Sequence, residues 1–445
     1  MVGMFVQTLY FLVDLYFVGK LGGEALAGLS LAGNAMFLIF ALTQILNVGT
    51  AAAISHAVGR KDKTDANLIF NQSMMSSSIV GIVVCIAGYF GASAYLNMVS
   101  QDLQTVAAGL SYLNWFIPCM ALQFLMVSIS AALRGTGVIK PTMLVQMISI
   151  IINIILSPIL IEGWGTGHAM GIAGAGFASS ISVVCAVIIL CLYFKKSEKY
   201  ISVDFALWHP NIPSLKKISS IGLPAGGEFF LMFVYMGIIY WLIQRFGADA
   251  QAGFGLGSRI MQSLFLPAMA LAFAAPAVAG QNFGAKKFTR VRETFKWSAI
   301  LTCSLMSLLT ILCLFQSEIL VQSFVDEPEV VLISAMFLQM ICWNFIPSGL
   351  TFTCSGMFQS VGNTWPALIS TATRLICFAI PALWLSQQND FTIENLWNLS
   401  VITVCIQAVV SFYLLRREFR LRLPKNDESQ LVSHIEKENF ASETV

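Results

Sequence analysis

The chain has 445 residues, 57% of them hydrophobic and only 11% charged, with a net charge of +2. A soluble domain carries roughly 25% charged residues, so a water-facing surface over this length is excluded. A balance so near neutral carries no nucleic-acid signature.

Charged and Gly/Pro-rich clusters cut the chain into twelve apolar stretches, at about 1–19, 29–55, 73–97, 109–132, 141–161, 170–194, 218–243, 254–281, 297–317, 330–356, 366–386 and 394–415. Each is near the ~20 residues that cross a bilayer as a helix. Helices are required because hydrocarbon leaves the backbone to satisfy itself, and the alternation of a barrel strand is missing. The opening MVGMFVQTLY has no basic flank, and Asp14 interrupts the apolar run, so it reads as a membrane helix and not as a signal peptide.

Basic residues mark one face. Arg60, Lys61 and Lys63 follow the second stretch, Arg134 and Lys140 the fourth, and five lysines lie between the sixth and seventh; five basic residues run from Lys286 to Lys296 and six follow the twelfth. That is 21 of the 25, with only Lys20, Arg245, Arg259 and Arg374 elsewhere. By the positive-inside rule this face is cytoplasmic and holds both termini. The ten cysteines lie nearly all within apolar stretches and show no CxxC spacing, as packing residues do. His56, His168, His209 and His434 are too scattered for a metal site.

An internal repeat organises the chain. A shift of 225 residues lays GKLGGEALAG (19–28) on QRFGADAQAG (244–253), Gly59 on Gly284, and LRGTGVIKP (133–141) on FQSVGNTWP (358–366). Six helices therefore repeat as six, and an even number makes both copies run the same way across the membrane. The expected fold is an all-α polytopic membrane protein: twelve transmembrane helices in two six-helix bundles, related by a pseudo-twofold axis along the membrane normal. The expected domains are an N-lobe at 1–194, a cytoplasmic linker at 195–217, a C-lobe at 218–423 and a polar, disordered tail at 424–445. Pro224, near the start of the seventh helix, has its counterpart two residues before Met1. The natural first helix is thus expected to begin about ten residues upstream, nearly three turns, or to lack that proline.

Three charges inside the apolar stretches stand out. Asp14, in LYFLVDLYFVGK, lies six residues or about 9 Å inside Lys20. A mid-membrane carboxylate costs about 2.5 to 3.5 kcal/mol on insertion scales. It either snorkels toward Lys20 or serves as a cavity residue that binds a proton or Na+. Glu228 is ten residues into the seventh stretch and Arg374 eight past Pro366 in the eleventh, at matching depths. They are expected to pair, as a static clamp or as a site where Glu228 exchanges Arg374 for a cationic substrate or the coupling ion, Na+ included. Nineteen Met, 33 Phe and nine Trp supply soft, repackable walls.

LYFLVDLYFVGKLGGEALAG, the AVGRKD turn, LRGTG followed by KP, NIILSPILIEG leading to GIAGAGFASS, and GLPAGGE together resemble the multidrug and toxic compound extrusion (MATE) transporters, in order and over almost the whole chain. The resemblance implies a monomeric antiporter in the cytoplasmic (inner) membrane of a bacterium. It would need no cofactor and would export small cationic amphipathic compounds in exchange for H+ or Na+. It also implies that Tyr10 and Asp14 form the cation-coupling site with Asn153, Ser157 and Ser179. Several prokaryotic members carry a second aspartate at the position of Ser157, so this chain departs from the pattern there. The rival functions are a lipid or polysaccharide-precursor flippase of the same superfamily, which calls for an arginine-rich cavity, and a membrane-embedded enzyme, for which no catalytic constellation is present.

Overall fold

The computed structural model describes residues 17–99, 102–165, 167–196, 200–322, 328–388 and 391–424. Over these residues the chain forms helices α1 (Gly23–Gly59), α2 (Lys63–Val99), α3 (Leu103–Thr136), α4 (Lys140–Ile161), α5 (Ile172–Lys196), α6 (Ile212–Ile243), α7 (Ala248–Gly284), α8 (Phe288–Gln322), α9 (Pro328–Ile341), α10 (Phe345–Ser360), α11 (Trp365–Leu385) and α12 (Ile393–Arg422). The single turn Cys342–Asn344 joins α9 to α10, and the pair makes one span, so eleven spans are long and apolar enough to cross a membrane. The expected first span, 1–19, lies outside the described residues apart from its last turn at 17–19, which is helical.

Several helices outrun the apolar stretches. α2 has 37 residues, about 55 Å at 1.5 Å per residue, against a hydrocarbon layer of about 30 Å. A charge ends an apolar run but not a helix, so the helix ends carry the basic residues past the lipid. Side chains set the starts: Asp62 accepts the Asp65 amide at 2.9 Å, Asp102 the Thr105 amide at 3.0 Å, and Asn211 the Ser214 amide at 3.0 Å. Outer helix faces expose Phe90, Phe315 and Val409, an arrangement that lipid favours and water penalises.

The chain divides into two compact units, one running to Gly226 and one from Gly227 onward, with Gly59–Lys61 grouped with the second. The boundary falls inside α6, two residues after Pro224. In the first unit α3 packs between α2 and α5, and α4 lies on α5. In the second, α7, α8 and α10 pack on one another, with α12 against α10 and α11. Its core centres on Trp397, which stacks on Phe254 at 5.4 Å and meets Phe337 edge-on at 4.8 Å.

The repeat is written in the backbone. The only two non-glycine residues with positive φ among those described are Lys61 (φ 61) and Lys286 (φ 59), 225 apart. After each comes the same capping bond, Asp62 N–H to Ala57 O at 3.0 Å and Lys287 N–H to Asn282 O at 2.9 Å. Gly137 (φ 88) and Gly362 (φ 74) likewise end α3 and α10 in left-handed turns, and Val138 and Asn363 donate back to Leu133 and Phe358.

The segment between α5 and α6 is held to the first unit by α2. Asn67 Oδ1 accepts the Ser202 amide, Asn71 bonds the Ser202 carbonyl and the Asp204 amide, and Gln72 bonds the carbonyls of Leu207 and His209 and the amide of Asn211, all at 2.6 to 2.9 Å.

Candidate cation and substrate sites

In the first unit α4 and α5 bring three of the expected residues together. Asn153 and Ser157 are four residues apart on α4 and so share a face. Ser157 Oγ lies 3.5 Å from Asn153 Oδ1, and Asn153 Nδ2 donates to Ser179 Oγ on α5 at 3.3 Å. All three are fully buried. Tyr10 and Asp14 lie outside the described residues. Lys20, the neighbour toward which a snorkelling Asp14 would reach, bonds Glu162 at 3.2 Å.

In the second unit Glu228 is buried on α6, and its two carboxylate oxygens sit 3.1 and 2.9 Å from the Ser355 hydroxyl of α10. It borders a cavity of about 30 Å³, walled by Met232, Met269, Phe273 and Phe352, with room for about two waters. One O–H serves an anion that offers about four acceptor sites. Ser355 therefore leaves part of the acceptor capacity of this carboxyl group unfilled, in soft apolar surroundings.

The expected Glu228–Arg374 pair does not form. Arg374 instead lies 4.3 Å above the ring of Tyr235 and donates from Nη1 to Gln407 Oε1 at 3.5 Å, and Gln407 in turn donates to Thr371 at 3.2 Å. Matching depth did not bring the two together because they face different neighbours: Glu228 on α6 turns to Ser355 of α10, whereas Arg374 on α11 turns to Tyr235 of α6 and Gln407 of α12. An aromatic face and an amide take the place of the carboxylate as the cation's surroundings.

The sequence pattern of the MatE family matches residues 1–159 and again 224–385, two stretches whose starts lie 223 residues apart and whose ends lie 226 apart. The chain belongs to the MATE family. Among curated MATE relatives, the multidrug export protein MepA of Staphylococcus aureus is 24% identical over 424 residues, covering 94% of this chain and 92% of its own. The probable multidrug resistance protein YoeA of Bacillus subtilis is 24% identical over 377 residues, 82% of this chain and 80% of its own. An outward-facing multidrug resistance MATE transporter shares the fold at a TM-score of 0.89 and 23% identity, covering 96% of this chain and 94% of that one. The all-helical, multi-pass architecture expected from composition is therefore the MATE fold.

Two polar clusters of this MATE chain were not singled out from sequence. Thr50, Ser73 and Ser128 form a buried hydroxyl chain across α1, α2 and α3, at 2.5 and 3.2 Å. Arg134, read from sequence as a loop residue marking the cytoplasmic face, belongs to the last turn of α3 and donates to Asn47, which itself bonds Gln44 at 2.8 Å. The available signal was Gln44, Asn47 and Thr50 at spacings of three residues, a polar stripe inside an apolar helix.

Proposed function

We propose that the chain is a secondary active antiporter that exports small cationic amphipathic compounds in exchange for H+ or Na+. It works as a monomer in the bacterial cytoplasmic membrane with both termini inside. Two lobes, 1–194 and 218–423, joined by 195–217, alternate access around the sites. The observation that carries this reading is Glu228: a buried carboxylate with one hydroxyl partner, on the wall of a Met- and Phe-lined cavity. Such a wall repacks around varied apolar bodies, while the carboxylate selects positive charge.

Asp14 is the proposed coupling carboxylate, with Tyr10, Asn153, Ser157 and Ser179 around it, and either Asp14 or Glu228 would serve a sodium ion. The second repeat supports this grouping. The counterparts of Tyr10, Asp14, Asn153 and Ser157 at the 225-residue shift are Tyr235, Ile239, Phe378 and Ala382, and these pack in one buried cluster. The second copy is apolar where the first carries an acid and amide or hydroxyl groups. Coupling and substrate selection are thereby assigned to different units. What a gradient does is protonate or metallate one carboxylate more in one conformation than in the other, shifting the population between them.

The test is efflux of an organic cation from proteoliposomes, with pH and sodium gradients imposed separately. Uphill movement under one gradient and none without it is expected. Equal movement with and without either gradient would refute antiport, and movement of a lipid-linked sugar in its place would favour the flippase.

A further inference from the structure

The start of α8 crosses the end of α12 as the start of α2 crosses the end of α5. Phe295 meets Phe419 edge-on at 5.8 Å, and their counterparts at the 225-residue shift, Phe70 and Phe194, stack at 5.0 Å. In the first copy the α2 face beside Phe70 holds the chain that continues from α5. Asn67 and Asn71 bond Ser202 and Asp204, and Gln72 bonds Leu207, His209 and Asn211. Under that segment Asn71 and Gln72 are fully buried.

The same three positions of α8 are Arg292, Lys296 and Trp297. Arg292, on the position of Asn67, likewise holds the chain that continues from the crossing helix: its Nη2 donates to the carbonyls of Leu423 and Pro424 at 2.6 and 3.3 Å. The described chain ends there. Further along α8, Lys296 is exposed and Trp297 is 60% exposed. The Lys296 ammonium lies 5.9 Å from the Trp297 ring and meets no carboxylate among the described residues.

At the same shift the counterpart of residues 201–211 is 426–436, NDESQLVSHIE. This stretch has three acids, Asp427, Glu428 and Glu436, and no lysine or arginine. Face and segment have thus changed together: amides meet a segment with one acid, Asp204, in the first copy, and two cations stand opposite three acids in the second. Arg292 delivers the chain to the spot. From Arg292 to Lys296 is four residues, about 6 Å along the helix, which eleven residues of chain span easily. The short connection also keeps the local concentration of these acids high.

We infer that residues 426–436 dock on the Arg292, Lys296 and Trp297 face of α8, as the α5–α6 segment docks on α2. The acids supply the carboxylate that Lys296 lacks, and Leu431 and Val432 cover the Trp297 ring. The docked segment straps the end of α12 to the start of α8. The first unit closes this crossing with neutral hydrogen bonds; the second closes it with charge, so its strap loosens as salt screens the pairs.

Hydrogen exchange read by mass spectrometry tests this on the full chain, one copy per nanodisc, against the free peptide 424–445. Docking slows amides within 426–436 by on the order of tenfold relative to the peptide, the scale of one or two hydrogen bonds, in discs of phosphatidylcholine and of phosphatidylglycerol alike. Asp427→Asn, Glu428→Gln and Glu436→Gln together leave every span untouched and return exchange to the peptide rate. Lys296→Glu has the same effect, while Lys296→Arg keeps the protection. Exchange at the peptide rate in the wild type, in both lipids, overturns the inference without any variant having to fold. Protection in phosphatidylcholine that vanishes in phosphatidylglycerol also overturns it, by giving the face to anionic lipid headgroups. Protection that survives both the neutralised tail and Lys296→Glu overturns it too, by placing the segment elsewhere.

Discussion

Glu228→Gln isolates the charge of the second unit with little change in shape. The amide oxygen still accepts from Ser355, and the side chain still fills its place beside Met232 and Phe352. A monovalent cation about 4 Å from the carboxylate gains about 4 kcal/mol at the effective dielectric of about 20 suited to protein sites. Stripping water from the cation offsets part of this, which leaves about 1.5 to 3 kcal/mol for a charged contact. That range corresponds to roughly 10- to 150-fold weaker binding. Ser355→Ala perturbs the same spot in the opposite sense. It removes the carboxylate's one hydroxyl donor, costs about 1 to 3 kcal/mol of folding stability, and leaves the anion more dependent on an incoming cation. Anisotropy of tetramethylrhodamine methyl ester reads the binding and thermal unfolding in detergent reads the stability. The expected result is weak binding with near-normal melting for Glu228→Gln, and retained binding with lowered melting for Ser355→Ala. Equal ester affinity in the wild type and Glu228→Gln would refute the argument, since no cation would then be meeting the carboxylate.

Asp14→Asn should fold and bind the ester yet fail to export it against a gradient, with Asp102→Asn as the surface control; wild-type uphill efflux from Asp14→Asn would return Asp14 to a snorkelling anion. Glu228→Gln and Arg374→Gln should add in their effects on melting to within about 0.5 kcal/mol, because the residues share no partner; rescue of one by the other would restore the ion pair. Gln72→Ala removes three hydrogen bonds to the α5–α6 segment, about 1.5 to 4.5 kcal/mol in all at roughly 0.5 to 1.5 each, and should expose residues 200–211 to limited proteolysis while wild-type chain resists. Asp102, outside the spans, has its carboxyl held below the usual range by the Thr105 hydroxyl and then by the Thr105 and Gln104 amides. A depressed folded value means that this cap is fully present above pH about 4 and is lost as pH falls through the lower folded value, so the protection of amides at the start of α3, relative to their intrinsic exchange at each pH, should fall below that point and stay constant above it.

Much of this was legible in the sequence, and what was not has a physical cause. Apolar runs and basic clusters give the spans because lipid solvates the one and rejects the other. The same logic places the start of α6 too late, at 218 in place of Ile212, since a helix continues through charges once it leaves the hydrocarbon. Asn153, Ser157 and Ser179 came from the family resemblance, and the bonds that join them across α4 and α5 are those that buried polar residues in apolar helices make with one another. The Glu228–Arg374 pairing was misread because matching depth is not distance, and because an aromatic face is a partner that charge counting omits. Arg134 and Asn47 escaped notice because a basic residue at a helix end serves as a topology marker as naturally as it serves as a buried donor.

The repeat separates what the fold requires from what the function added. Positions 61 and 286 share an uncommon backbone conformation in non-glycine residues, and Gly137 and Gly362 share the left-handed turn that ends a helix. These are places where the chain must turn sharply, so duplication retained them. Charges at helix ends repeat, Lys20 with Arg245 and Glu24 with Asp249, but four other ionisable positions do not: Asp14 answers to Ile239, Glu228 to Gly3, Arg134 to Gln359 and Arg374 to Ser149. A scaffold that repeats with chemistry that does not is what the proposed antiport needs. If both copies carried the same carboxylate in the same place, coupling ion and cationic substrate would compete in each. With an acid in the first copy and a differently placed acid and arginine in the second, one unit can respond to the ion while the other selects the cargo. Grafting the first copy's residues onto the second, Ile239→Asp with Phe378→Asn, tests this: it should retain the fold if the chain tolerates a second polar cluster, yet make the export of an organic cation fall as the concentration of coupling ion rises. Export that is indifferent to the ion in that variant would show that the asymmetry of the two copies has no part in the mechanism.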